Sequence, residues 1–97
     1  MKIVNVDLRV RYHKTTKRLV ITNNKYNIHI RMYSYKRKKE CKVVCKVKDR
    51  ETNTILFSKL YHFNEQLDME QIKHCFLYSS IPKEFKEIEK FIFTSSL

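Results

Sequence analysis

Glycine, alanine and tryptophan are absent from this 97-residue chain, and proline occurs once. Without Gly there is no phosphate-cradling loop and no nucleophile elbow of the usual kind. Turn positions with positive φ, where type II and I′ turns prefer Gly, must fall on Asn, Asp or Lys. Long apolar runs are also missing, and none approaches the roughly 20 residues that span a bilayer. Arg9 and Arg11 interrupt the amino-terminal segment, which therefore lacks the apolar core of a secretory leader. A cytoplasmic location is expected, or a nuclear one in a eukaryotic host.

Acidic residues are scarce as well. Ten Asp and Glu face 21 Lys and Arg, for a net charge of +11, which favours a polyanionic partner. Hydrophobic residues at 42% and charged residues at 32% are ordinary globular proportions and argue against wholesale disorder. A chain of this length builds one modest core, so residues 1–97 are read as a single domain. Ala and Gly codons are GC-rich, whereas those of the abundant Lys, Ile, Asn and Tyr are AT-rich. The composition points to an AT-rich genome and raises a viral or mobile-element origin.

What is present alternates. Val4, Val6, Leu8, Val10 and Tyr12 share one face of residues 2–13, and Asn5, Asp7, Arg9, Arg11 and His13 share the other. That period of two predicts one half-buried strand. Residues 14–17 read as a turn, and 18–22, with Leu19, Val20 and Ile21, as a second strand. Asn23-Asn24-Lys25 reads as a turn through the tolerance of Asn for the left-handed region. Tyr26, Ile28, Ile30 and Met32 mark a third strand over 26–35, with Asn27, His29, Arg31, Tyr33 and Tyr35 opposite. A basic tip, Lys36-Arg37-Lys38-Lys39, leads to a fourth strand over 40–48. There Cys41, Val43, Cys45 and Val47 alternate with Lys42, Val44, Lys46 and Lys48. A fifth strand over 54–63 places Ile55, Phe57 and Tyr61 on one face and Leu56 and Leu60 on the other.

The period then changes. Asp68 and Gln71 have capping-box spacing, with Leu67 and Ile72 as the staple pair. Met69, Ile72 and Phe76 form the stripe of a helix ending near Tyr78. A second helix starts around Ser79-Ser80-Ile81-Pro82, with Phe85, Ile88, Phe91 and Ile92 as its stripe. The expected fold class is α+β: an antiparallel meander of about five strands followed by two C-terminal helices on one face.

Charge divides along the same boundary. Residues 1–63 hold 17 Lys/Arg and 4 Asp/Glu, a balance of +13; residues 64–97 hold 4 and 6, a balance of −2. With the helices on the apolar face, Arg9, Arg11, Arg31, Lys42, Lys46 and Lys48 line the open face beside Tyr33 and Tyr35. Together with Lys36, Arg37, Lys38 and Lys39 these twelve residues form a candidate nucleic-acid surface, where cations neutralise phosphates and rings stack on bases. The pattern does not separate DNA from RNA. No ribonucleoprotein motif, zinc-finger spacing or helix-turn-helix signature accompanies it, and the basic tetrad also has the composition of a nuclear localisation signal.

Other chemistry has less support. Cys41 and Cys45 on one strand lie about 13 Å apart at ~3.3 Å per residue, too far for a disulfide or a shared zinc. No metal or cofactor is expected, and the cysteines read as packing residues. Glu40-Cys41-Lys42 matches the acid-x-Lys fragment of metal-dependent nucleases, with Asp7 as a distant acid, but the other acids are not evident. His13, His29, His62 and His74 pair with no nucleophile, so the chain is not read as an enzyme. The competing role is a protein-interaction module or structural subunit that docks on a host or viral protein. Leu77, Tyr78 and Phe93 lie off the helical stripes and would form that interface or a homodimer seam.

Overall fold

The computed structural model describes residues 2–4, 8–34, 39–78 and 81–95, with residues 2–4 and 93–95 described as backbone only. Five strands form one open antiparallel sheet in sequence order: β2 (Arg9–His13), β3 (Arg18–Thr22), β4 (Tyr26–Ser34), β5 (Cys41–Asp49) and β6 (Ile55–Phe63). Helix α1 (Met69–Leu77) follows, then a 3-10 segment (Lys83–Ile88) that runs directly into a single α-turn, α2 (Glu89–Ile92). The protein is thus an α+β meander with two C-terminal helical segments.

The alternation became a core on one face only. Leu19, Ile21, Ile28, Ile30, Met32, Cys41, Val43, Cys45 and Val47 are buried against Met69, Ile72, Phe76, Phe85, Ile88 and Ile92. Asp68 starts α1 by accepting hydrogen bonds from the N–H groups of Glu70 (3.1 Å) and Gln71 (3.3 Å), which satisfies two donors the helix cannot pair itself. Phe85 joins the layers, its ring centroid 5.4 Å from Tyr61 and 6.2 Å from Phe76. Cys41 and Cys45 are buried in this core. Burial, with a smaller contribution from Glu87, pushes the Cys45 thiol up to about 12, so it stays protonated at neutral pH.

Tyr61 brings a cost into the core. Its hydroxyl is buried and has no hydrogen-bond partner among the described residues, and burial, Cys45 and Glu87 push its ionisation up to about 12. Tyr61→Phe removes the orphaned hydroxyl and keeps the ring. The variant is expected to be more stable by about 1 kcal/mol, read as a higher denaturation midpoint with an unchanged m-value.

Four expectations need correction. Residues 2–13 are not one strand: β1 (Lys2–Val4) leaves the main sheet and pairs antiparallel with β7 (Phe93–Ser95), Val4 opposite Phe93. The neighbouring strand β3 spans only Arg18–Thr22, so the main sheet offers pairing to residues 9–13 and none to 2–4. Ile55 does not share a face with Phe57 and Tyr61. A register shift beside Lys48 puts Ile55 opposite Lys48, on the open face with Leu56 and Leu60, as a one-residue bulge does.

The other two concern the turn at Asn23 and the second helix. The positive φ values fall on Lys17 (51°) and Asn53 (59°) and not on Asn23 or Asn24. Asn23 shapes its turn through its side chain, which accepts from the N–H groups of Lys25 (2.9 Å) and Tyr26 (2.8 Å). Finally, Pro82 is extended (φ −59°, ψ 144°) and caps a 3-10 segment rather than entering an α-helix, with Phe85 off helical geometry. The described residues contain no helix long and apolar enough to cross a membrane.

Candidate nucleic-acid interface

The strand register defines the open face in cross-strand rows. Arg9, Thr22, Asn27 and Lys48 form one; Arg11, Val20, His29 and Lys46 the next; His13, Arg18, Arg31 and Val44 the third; and Tyr33 lies beside Lys42 beyond them. Six of the expected cations, Arg9, Arg11, Arg31, Lys42, Lys46 and Lys48, therefore share this face with Tyr33. Neighbouring strands are about 4.8 Å apart, so the cations from β2 to β5 span roughly 15 Å. No Asp or Glu lies on this face among the described strand residues.

The sequence reading did not include Arg18. It opens a strand and reads there as a boundary residue, yet the register sets it directly opposite Arg31. The two arginines line a shallow cleft of about 290 Å³ with His29, Tyr33, Lys46 and Lys48. The Arg31 guanidinium sits 4.8 Å from the centre of the Tyr33 ring, a cation–π contact that holds an exposed aromatic beside a cation. The Arg31 Nε is buried without a hydrogen-bond partner among the described residues. A second depression of about 250 Å³ lies between Arg9, Arg11 and His13 at the β2 edge. Both are open to solvent.

His29 reports the local potential. Burial first, then Arg18, Lys48 and Lys46, lower its pKa from the usual 6.5. Because the folded value is depressed, the unfolded chain takes up this proton first as the pH falls. His29 therefore leaves stability intact above about 6.5 and removes it progressively below. A bound phosphate would offset part of this positive charge and favour the imidazolium. Affinity for a polyanion is expected to rise between about pH 7.5 and 6 as stability falls, and His29→Gln is expected to flatten the rise. Comparing the two proteins by fluorescence anisotropy isolates His29 from His13 and His62.

Tyr35, Lys36, Arg37 and Lys38 lie outside the described residues; Lys39 is described and exposed. Of the residues expected at a protein interface, Leu77 and Tyr78 are exposed at the end of α1, Tyr78 by 78%, its ring stacked at 6.3 Å on His74. Phe93 lies off the helical stripe because its backbone belongs to β7. No group of three metal-ligating side chains gathers among the described residues, and Asp7 lies outside them. No protein-family model matches this chain, and no curated protein and no solved structure matches it.

Proposed function

We propose that this chain is a small basic nucleic-acid-binding accessory protein of an AT-rich virus or mobile element. It holds the phosphate backbone on the open face of its sheet and stacks Tyr33 on exposed bases. One observation carries the reading: Arg9, Arg11, Arg18, Arg31, Lys42, Lys46 and Lys48 share a face on which the described strands place no acid. Phosphate contacts of this kind give affinity without base readout. Discrimination between sequences is therefore expected to be slight, and single strands gain from Tyr33 by stacking.

The test is anisotropy of labelled mixed-sequence single-stranded and duplex DNA and RNA at low ionic strength. Binding of all of them, with single strands weakened selectively by Tyr33→Ala, is the expected result. No binding of any of them overturns the proposal. The competing reading, docking on a host or viral protein, draws on exposed Leu77 and Tyr78. It requires capture of a stoichiometric protein that survives nuclease treatment.

A further inference from the structure

The two edges of the main sheet are built differently. β2 forms one edge, and over five residues it exposes Arg9, Arg11 and His13. Basic side chains on an edge strand are a common means of preventing edge-to-edge association. β6 forms the other edge with nine residues, of which Lys59 alone carries formal charge, and Lys59 is ion-paired with Glu87. No described strand pairs with its outer side. It also exposes Ile55, Leu56 and Leu60 by 52%, 48% and 49%, all on the open face beside Val44. A long, nearly neutral edge rimmed by half-exposed aliphatics, on a chain of net charge +11, carries one protective device, the bulge at its Ile55 end, and is otherwise open to strand pairing.

We infer that β6 pairs antiparallel with β6 of a second copy of this chain about a two-fold axis through Ser58. The strand's own sequence selects that occupant. Pairing centred on Ser58 sets Leu56 opposite Leu60 of the second copy, and Leu60 opposite its Leu56, the self-complementarity a two-fold interface requires. These cross-strand aliphatic pairs cover one face of the seam. Centring on Lys59 would oppose two lysines, and the β2 edge would oppose arginines.

Charge does not forbid the pairing. Lys46 is cross-strand from Ser58, so it lies three strand spacings, about 14 Å, from the Lys46 of the second copy. That exceeds the Debye length of about 8 Å at physiological ionic strength. Within β6 this register pairs Ile55 through Tyr61 with the second copy, a seam of about seven residues and about 23 Å. Its area falls near the lower end of stable interfaces, so the dimer is concentration-dependent rather than obligate. The axis runs normal to the sheet and keeps both open faces on one side. The product is a ten-stranded sheet with two basic surfaces flanking an apolar seam.

Sedimentation velocity over micromolar to submillimolar concentrations is expected to show a monomer–dimer equilibrium. Added NaCl should tighten it by screening the net charge, whereas salt weakens nucleic-acid binding, so either reading can fail without the other. Ser58→Lys, at an exposed position, is expected to raise the dissociation constant at least about tenfold while circular dichroism stays unchanged. In a Cys75→Ser background, Ser58→Cys should be joined into dimers by a short bis-maleimide, and His13→Cys on the opposite edge should not. A monomer at every concentration, a dimer indifferent to Ser58→Lys, or equal cross-linking from both edges would overturn the inference.

Discussion

Arg31→Ala combined with Lys46→Ala is expected to weaken nucleic-acid binding about 50-fold near 0.1 M salt and to lower the salt slope by about two. The two side chains line the same cleft from adjacent strands, so one phosphate path passes both. Each lost phosphate contact forgoes the release of about one counterion, which sets the size of the effect. The loss should be similar for every sequence, since neither residue is asked to read a base. Lys83→Ala, on the exposed surface of the 3-10 segment, is the matched control and should change little. An effect on one sequence alone would mean that the face reads bases.

Asn23→Ala is expected to cost about 3 kcal/mol and to lower the melting temperature by roughly 10–20 °C. Asn23 is the one polar residue among the fully buried side chains of the described structure. Its carbonyl oxygen accepts the two N–H groups of the β3–β4 turn, and its amide donates to the Phe91 carbonyl at 2.8 Å. One side chain thus closes a hairpin and fastens the last helical turn to the sheet, 68 residues along the chain. Truncation leaves three part-buried backbone groups without this partner, each worth about 1 kcal/mol. Asn23→Ser keeps a short acceptor for the turn but cannot reach Phe91, and its loss should be intermediate. Urea denaturation of the three proteins measures the series. Equal stability of wild type and Asn23→Ala would mean that water satisfies these groups as well as the side chain does.

Much of the fold was legible because strand alternation is a local signal. Ile28, Ile30, Val43 and Val47 reached the core from a period of two alone, and Asp68 marked the start of α1 by its capping chemistry. The misreadings arose where a non-local choice decides. Alternation runs unbroken through residues 2–13, and only the length of β3 shows that residues 2–4 pair elsewhere. A bulge adds one residue and reverses faces beyond it, so alternation grouped Ile55 with Phe57 and Tyr61. The spacing of Phe85, Ile88 and Ile92 fits a 3-10 segment and an α-helix almost equally.

The candidate site was legible to the same degree. The alternation placed Arg9, Arg11, Arg31, Lys42, Lys46 and Lys48 on the side away from the helices. Arg18 became visible only through its register with Arg31. The composition of 23–25 announced a turn, but the bond from Asn23 to Phe91 joins two ends of the chain that no local pattern relates. The apolar border at Leu56 and Leu60 likewise took its meaning from the edge position of β6.

The salt dependence of binding tests the central claim most directly. About five phosphates held by the open face give a slope near −4 to −5 on duplex DNA, a loss of several hundred-fold between 50 and 200 mM salt. That slope should fall by about two in the Arg31→Ala/Lys46→Ala protein. Absence of binding at 50 mM salt, or an affinity indifferent to salt, would contradict the account.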